Sequence, residues 1–142
     1  REALTLARQT LAQANAALAE RFSPRLVREA SEIFSELTGG RYARVQISRQ
    51  MELEAGQPDA AMRRSLFLSG GTADELYLSV RLAVCRLLLP EDAPLLLDDA
   101  LVMFDDDRLR LALRLLQREA ENRQILLFTC QHREQKALTT DL

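Results

Sequence analysis

Two short uninterrupted apolar runs, Leu95-Leu96-Leu97 and Ile125-Leu126-Leu127-Phe128, constrain the fold of this chain more than any other feature. A run without polar alternation suits a strand buried on both faces, as in a parallel sheet. Between the runs, from about Asp107 to Glu121, Leu109, Ala112, Leu113, Leu116 and Ala120 recur at helical spacing. A short strand at Ser65–Leu68 and a helix from about Ala73 to Leu89 precede them, with Pro90 and Pro94 bracketing the loop between. Strand, helix, strand, helix, strand in this order predicts an α/β layer built on a parallel sheet flanked by helices.

The first half has another rhythm. Leu4, Ala7, Leu11, Ala14 and Leu18 alternate at spacings of three and four, an apolar seam suited to a coiled coil. Residues 1–22 are thus expected to be the end of a coiled-coil helix, cut from a longer one. An amphipathic helix packed on its own domain is the plainer reading. Ser23-Pro24 carries a capping residue followed by the residue favoured at a first helical position, and predicts a new start. The helix after it places Leu26, Ala30, Ile33, Phe34 and Leu37 on one face and stops at Gly39-Gly40. From Tyr42 to Ser48 the period is two, as in a half-buried strand. Met51–Glu54 forms a second strand, and Gly56-Gln57-Pro58-Asp59 turns the chain out of the hairpin.

With 142 residues there is material for one core, and residues 23–142 are expected to share it. No apolar run approaches the roughly 18 residues that span a bilayer. Cys85 and Cys130 lie far apart in apolar stretches and read as reduced core residues of a cytoplasmic protein. A net charge of −2 excludes a strongly basic surface overall. Arg110, Arg114 and Arg118 share one helix face, which could meet DNA phosphates but reads more plainly as a solvated face interleaved with Glu119 and Glu121.

Four clusters carry chemistry. Leu68-Ser69-Gly70-Gly71-Thr72 stands between a strand and a helix. Its glycines permit close backbone approach, Ser69 offers a hydroxyl, and the helix directs its unpaired N–H groups and positive dipole end there, a site for a phosphate. Thr72 and Glu75 read as a capping box that fixes the helix start. Leu95–Asp99 is a buried strand ending in two carboxylates at the sheet edge where open α/β folds bind ligands. One of these can hold Mg²⁺ and the other can orient or deprotonate a water. Phe104-Asp105-Asp106-Asp107 precedes a helix, where acids also serve as caps. Phe128-Thr129-Cys130-Gln131-His132 ends the last strand at the same edge as Asp98.

In this order the clusters resemble the C-terminal lobe of ABC-type ATPase heads, one half of a P-loop NTPase. Leu68–Thr72 looks like the signature motif, Leu95–Asp99 like the Walker B strand, and Asp105 like the D-loop aspartate. Thr129–His132 stands at the place of the switch histidine. The upstream seam and the separation of signature from Walker B favour the SMC-like branch over transporters. Within that branch, which includes SbcC-, RecN- and YhaN-like proteins, Leu37-Thr38-Gly39-Gly40-Arg41-Tyr42 resembles the segment where the returning coiled coil enters the head in the SbcC- and YhaN-like members. The resemblance implies that Ser69, Gly70 and Gly71 contact the γ-phosphate of ATP held on a partner head and that Asp98 holds Mg²⁺. Asp99 would then act on the attacking water, Asp105 would communicate across the dimer, and His132 would sense the γ-phosphate. The implied partners are an N-terminal Walker A lobe, a second head, DNA bound without sequence preference, and a nuclease.

Two departures stand out. Asp99 occupies a position that is usually Glu, and Cys130 and Gln131 intervene before His132, so that Gln131 could take its role. Lys136 is the only lysine and no P-loop glycines precede it, so the 142 residues are expected not to hydrolyse ATP unaided. A degenerate, non-catalytic dimerisation module is the competing expectation.

Overall fold

A computed structural model describes residues 2–48 and 52–140. The chain opens with α1, a single helix over Glu2–Leu37, 36 residues long, about 54 Å at the usual rise. The expected restart at Ser23-Pro24 does not occur, because Pro24 lies inside this helix. Proline's fixed φ is helical, and its interior cost of about 3 kcal/mol is weighed against nucleating a second helix. Leu4 and Leu11 of the apolar seam are exposed, as is Leu6, while the side chains of Ala14 and Leu18 lie outside the described set. In the second part of α1, Leu26, Ala30, Ile33, Phe34 and Leu37 are all buried. Gly39 ends the helix at φ +60°, with Gly40 N–H donating to the Ser35 carbonyl and Gly39 N–H to that of Glu36, the left-handed cap expected of a glycine.

Strands β1 (Arg44–Ile47) and β2 (Leu53–Gly56) pair antiparallel, and β3 (Arg63–Arg64) adds to β2. Met51, placed at the start of the second strand from sequence, lies outside the described residues. Val45 faces the core, where its N–H donates to Ser31 Oγ of α1 at 3.0 Å, while Arg44 and Gln46 face out. The strand expected at Ser65–Leu68 is instead a 3₁₀ turn over Ser65–Phe67. Leu66 and Phe67 point outward and are both exposed, so the segment lacks the buried alternate face that would hold it as a strand.

Helix α2 (Gly70–Leu88) crosses α1, and Leu76, Leu78, Leu82 and Ala83 carry the core between them. Strand β4 (Leu95–Asp98) pairs parallel with β5 (Ile125–Phe128), Leu95 opposite Ile125 and Asp98 opposite Phe128. Helix α3 (Asp106–Glu119) makes the crossover between them, and α4 (His132–Thr140) follows β5. Leu95 and Leu97 are buried, but Leu96 is 62% exposed and Phe128 53%. The strands expected to be covered on both faces are covered on one. Ala120, expected inward, is exposed because α3 ends before it, and Leu115 is buried along with the other predicted residues of that face.

Charged groups tie the helices together at the rim of this core. Arg86 of α2 reaches Glu119 of α3 and, at 3.4 Å, Glu29 of α1, and Arg118 pairs with Glu36. Arg110 pairs with Asp107, so two of the three arginines on the α3 stripe face carboxylates of this chain. Cys85 is half-buried and Cys130 exposed, both as free thiols. Cys130 is thus not a core residue, because it stands beyond the end of β5. No helix among the described residues is long and apolar enough to cross a membrane.

Candidate functional site

Ser69 is the residue before the first turn of α2 and holds an extended backbone, φ −64° and ψ 152°. Its carbonyl accepts from Ala73 N–H at 2.8 Å, closing the first turn. Its hydroxyl donates to Thr72 Oγ1 at 2.9 Å. The capping box expected of Thr72 and Glu75 is therefore not formed: Thr72 lies within the helix, and the cap position belongs to Ser69, whose side chain bonds Thr72 rather than a backbone N–H. Gly70 and Gly71 leave the leading N–H groups of a 19-residue helix uncovered by side chains. A Cβ on Gly71 would lie 3.2 Å from Arg108 Nη1 and 3.3 Å from the Met103 carbonyl oxygen. The second glycine of the pair is thus fixed by close packing against the segment after β4.

Asp98 ends β4 with its side chain exposed at the C-terminal edge of the sheet. Asp99 follows at φ +46°, a left-handed conformation rare outside glycine, asparagine and aspartate. Two bonds tie it to the end of β5: its N–H donates to the Phe128 carbonyl at 2.9 Å, and its Oδ1 accepts from Cys130 N–H at 3.2 Å. The carboxylate therefore already serves the loop that carries the histidine. Asp98, Asp99, Tyr77 and Arg81 border one open cleft between α2 and β4.

Asp105 caps α3, its Oδ1 accepting from Arg108 N–H at 3.0 Å while Oδ2 meets the Arg108 guanidinium. The bond from Arg108 N–H, more than the guanidinium charge, holds its carboxyl below the usual range. His132 is exposed as the first residue of α4, and Gln131, half-buried, is held by Arg133. Arg133 also donates to the carbonyls of Leu101 and Val102 and lies 3.6 Å from Asp106. The β5–α4 loop is thereby clamped to the segment between Asp99 and Asp105. Within the loop, Thr129 Oγ1 donates to buried Glu134 and accepts from Gln131 N–H, each at 3.0 Å.

Sequence reasoning missed these arginines and the partner of the first of them. Arg108 reaches Glu75, which is 1% exposed, with Nε 3.2 Å from Oε1, in ion-pair contact rather than an aligned hydrogen bond. Burial pushes the Glu75 carboxyl up to about 7 although the Arg108 charge draws it down. The usable signal was the Asp105-x-x-Arg108 spacing, which puts an acid and a base on one helix face.

Glu75 makes folding proton-linked. Its unfolded carboxyl ionises near 4.5 and its folded one near 7, so the folded chain holds the extra proton within that window. Its contribution is complete below the lower value and is lost as pH rises to the upper one. Melting temperatures taken across the window should fall with pH in the wild type and change less in Glu75→Gln. Parallel curves for the two proteins would show that Glu75 does not titrate there.

No protein-family profile matches the chain. A structure from work on ATP-driven dimerization and DNA-stimulated activation of SMC ATPases superposes with a TM-score of 0.71 at 20% identity, covering 87% of this chain and 76% of that one. This is the fold of the C-terminal lobe of an SMC-like ATPase head. The Smc head domain of Pyrococcus furiosus, with an extended coiled coil and bound to the C-terminal domain of ScpA, gives 0.69 at 17% identity over 96% of this chain and 35% of that one. In sequence, the uncharacterized protein YhaN of Bacillus subtilis (strain 168) is 36% identical over 110 residues, 75% of this chain. The SMC-like lobe spans 11% of that relative's length.

Proposed function

We propose that this chain is the C-terminal half of an SMC-like ATPase head, which completes a nucleotide site with a Walker A lobe and a second head. One observation carries the reading. The β4–β5 sheet presents Asp98, Asp99 and the Thr129–His132 loop at one edge while leaving the apolar face of Leu96, Leu126 and Phe128 uncovered. A sheet in that condition is suited to further strands and to a ligand beyond its C-terminal edge.

The roles divide accordingly. Ser69, Gly70 and Gly71, at the N-terminus of α2, present N–H donors to phosphate oxygens of ATP held on the partner head. Asp98 is the carboxylate for Mg²⁺. No group of three or more His, Cys, Asp or Glu side chains that could hold a metal occurs among the described residues. A Mg²⁺ ion at this edge would be shared between one or two carboxylates and phosphates. Asp99 orients water, Asp105 faces the partner head, and His132 or Gln131 answers the γ-phosphate. The full protein would act in DNA repair or chromosome maintenance, binding DNA without sequence preference. Arg110 and Arg118 each face a carboxylate of this chain.

The purified chain should show negligible ATP turnover, having no P-loop. Joined to its Walker A lobe, it should associate with a second head in response to ATP, and Ser69→Arg should abolish that response at temperatures where the variant is still folded. Association that ignores nucleotide would favour a non-catalytic dimerisation module instead.

A further inference from the structure

We propose that Arg108 is a positioning residue that links the Ser69–Gly71 turn to Asp105, so that movement of one is felt by the other. The inference rests on the head-ATPase reading, and it begins from one guanidinium shared between two elements. Nη2 donates to Thr72 Oγ1 at 3.2 Å, Nη1 meets Asp105 Oδ2, and Nε faces Glu75 Oε1 at 3.2 Å. Thr72 Oγ1 also accepts the Ser69 hydroxyl at 2.9 Å. Both lone pairs of that oxygen are therefore engaged, one by Arg108 and one by Ser69. Gly71 packs on the same guanidinium, close enough that a Cβ there would stand 3.4 Å from Cζ.

The chain of contacts runs Asp105, Arg108, Thr72, Ser69, and the buried Glu75 carboxyl lies against Nε of the same guanidinium. A plain structural pair would need Glu75 and Arg108 alone. Asp105 would stay capped by the Arg108 N–H even without the side chain. The extra reach to Thr72 and Asp105 uses the forked donors that arginine has and lysine lacks. A cavity of about 170 Å³, bordered by Thr38, Arg41, Tyr42 and Glu75, adjoins the guanidinium and leaves it room to swing. Withdrawal of Asp105 toward a partner head would draw Arg108 off Thr72 and off Gly71, against which its guanidinium packs, and so free the backbone of the Ser69–Gly71 turn to shift.

The test has two arms. The first uses this chain without nucleotide and measures thermal unfolding for Thr72→Val, Asp105→Asn and the double variant, with Arg108 and again with Arg108→Lys. Non-additive effects with Arg108 that become additive with lysine are expected, and additivity with Arg108 in place would overturn the linkage. The second uses the complete head with its Walker A lobe. Arg108→Lys, which keeps a cation beside Glu75, should lower kcat on the order of tenfold at a temperature well below its own unfolding, with KM for ATP nearly unchanged. A kcat equal to wild type, or one that falls only in step with melting temperature, would overturn the positioning role. A wild-type head with no turnover at all would instead sink the ATPase reading, and the first arm would still decide whether Arg108 links the two segments.

Discussion

Asp98→Asn in the head assembled with its Walker A lobe is expected to reduce ATP turnover by a factor on the order of a hundred or more. Amide for carboxylate keeps the shape of the side chain and removes the charge that a cation requires. The transition-state stabilisation supplied by a bound metal is several kcal/mol, and each ~1.4 kcal/mol is a factor of ten. Because Asp98 is exposed at the sheet edge, the substitution should leave the melting temperature within the small range typical of surface changes. Steady-state hydrolysis with varied Mg²⁺ reads the effect directly. Turnover within twofold of wild type would remove Asp98 from the metal role, and with it most of the support for the β4 edge as the reacting centre.

The largest effect on folding is expected from Phe34→Ala. Phe34 is fully buried where α1 meets the rest of the core, and its ring lies 5.4 Å from that of Tyr42 at a tilt of 39°. Removing a buried phenyl ring costs about 3–5 kcal/mol through lost transfer energy and an unfilled cavity. A domain of this size has a total stability of about 5–15 kcal/mol, so the variant should be close to unfolding at 37 °C. Urea denaturation gives the number. A loss under about 1 kcal/mol would mean that α1 is not the wall of the core that its buried face indicates.

Local pattern in the sequence was enough to find the elements. The apolar runs at Leu95 and Ile125, the inward face from Leu26 to Leu37, and the glycine stop at Gly39 all appear in the structure, because each depends on neighbours a few residues away. What local pattern could not supply was competition between distant segments. Thr72 and Glu75 satisfy the spacing of a capping box, yet Arg108, 36 residues beyond Thr72, takes both. Ser23-Pro24 has the composition of a helix start, but helix-forming residues on both sides carry α1 through it. Ser65–Leu68 has strand-forming residues, but pairing with β2 stops at Arg64 and the chain turns. The candidate site was legible as residue types and order. Its wiring through Arg108 and Arg133 was not, because each arginine contacts groups far away in the chain.

The left-handed backbone at Asp99 limits which residues can succeed it. Outside glycine, that conformation costs about 1–2 kcal/mol for most residues and least for asparagine and aspartate, whose short side chains bond nearby backbone. The bond from Cys130 N–H to Asp99 Oδ1 is of that short-reach kind. A glutamate at this position would place its carboxylate a methylene too far to keep that bond and would meet a less favourable backbone. Replacing Asp99 with glutamate is therefore more than the extension of one side chain. The turn after β4 and the loop after β5 would have to change shape together before a longer acid could be accepted there.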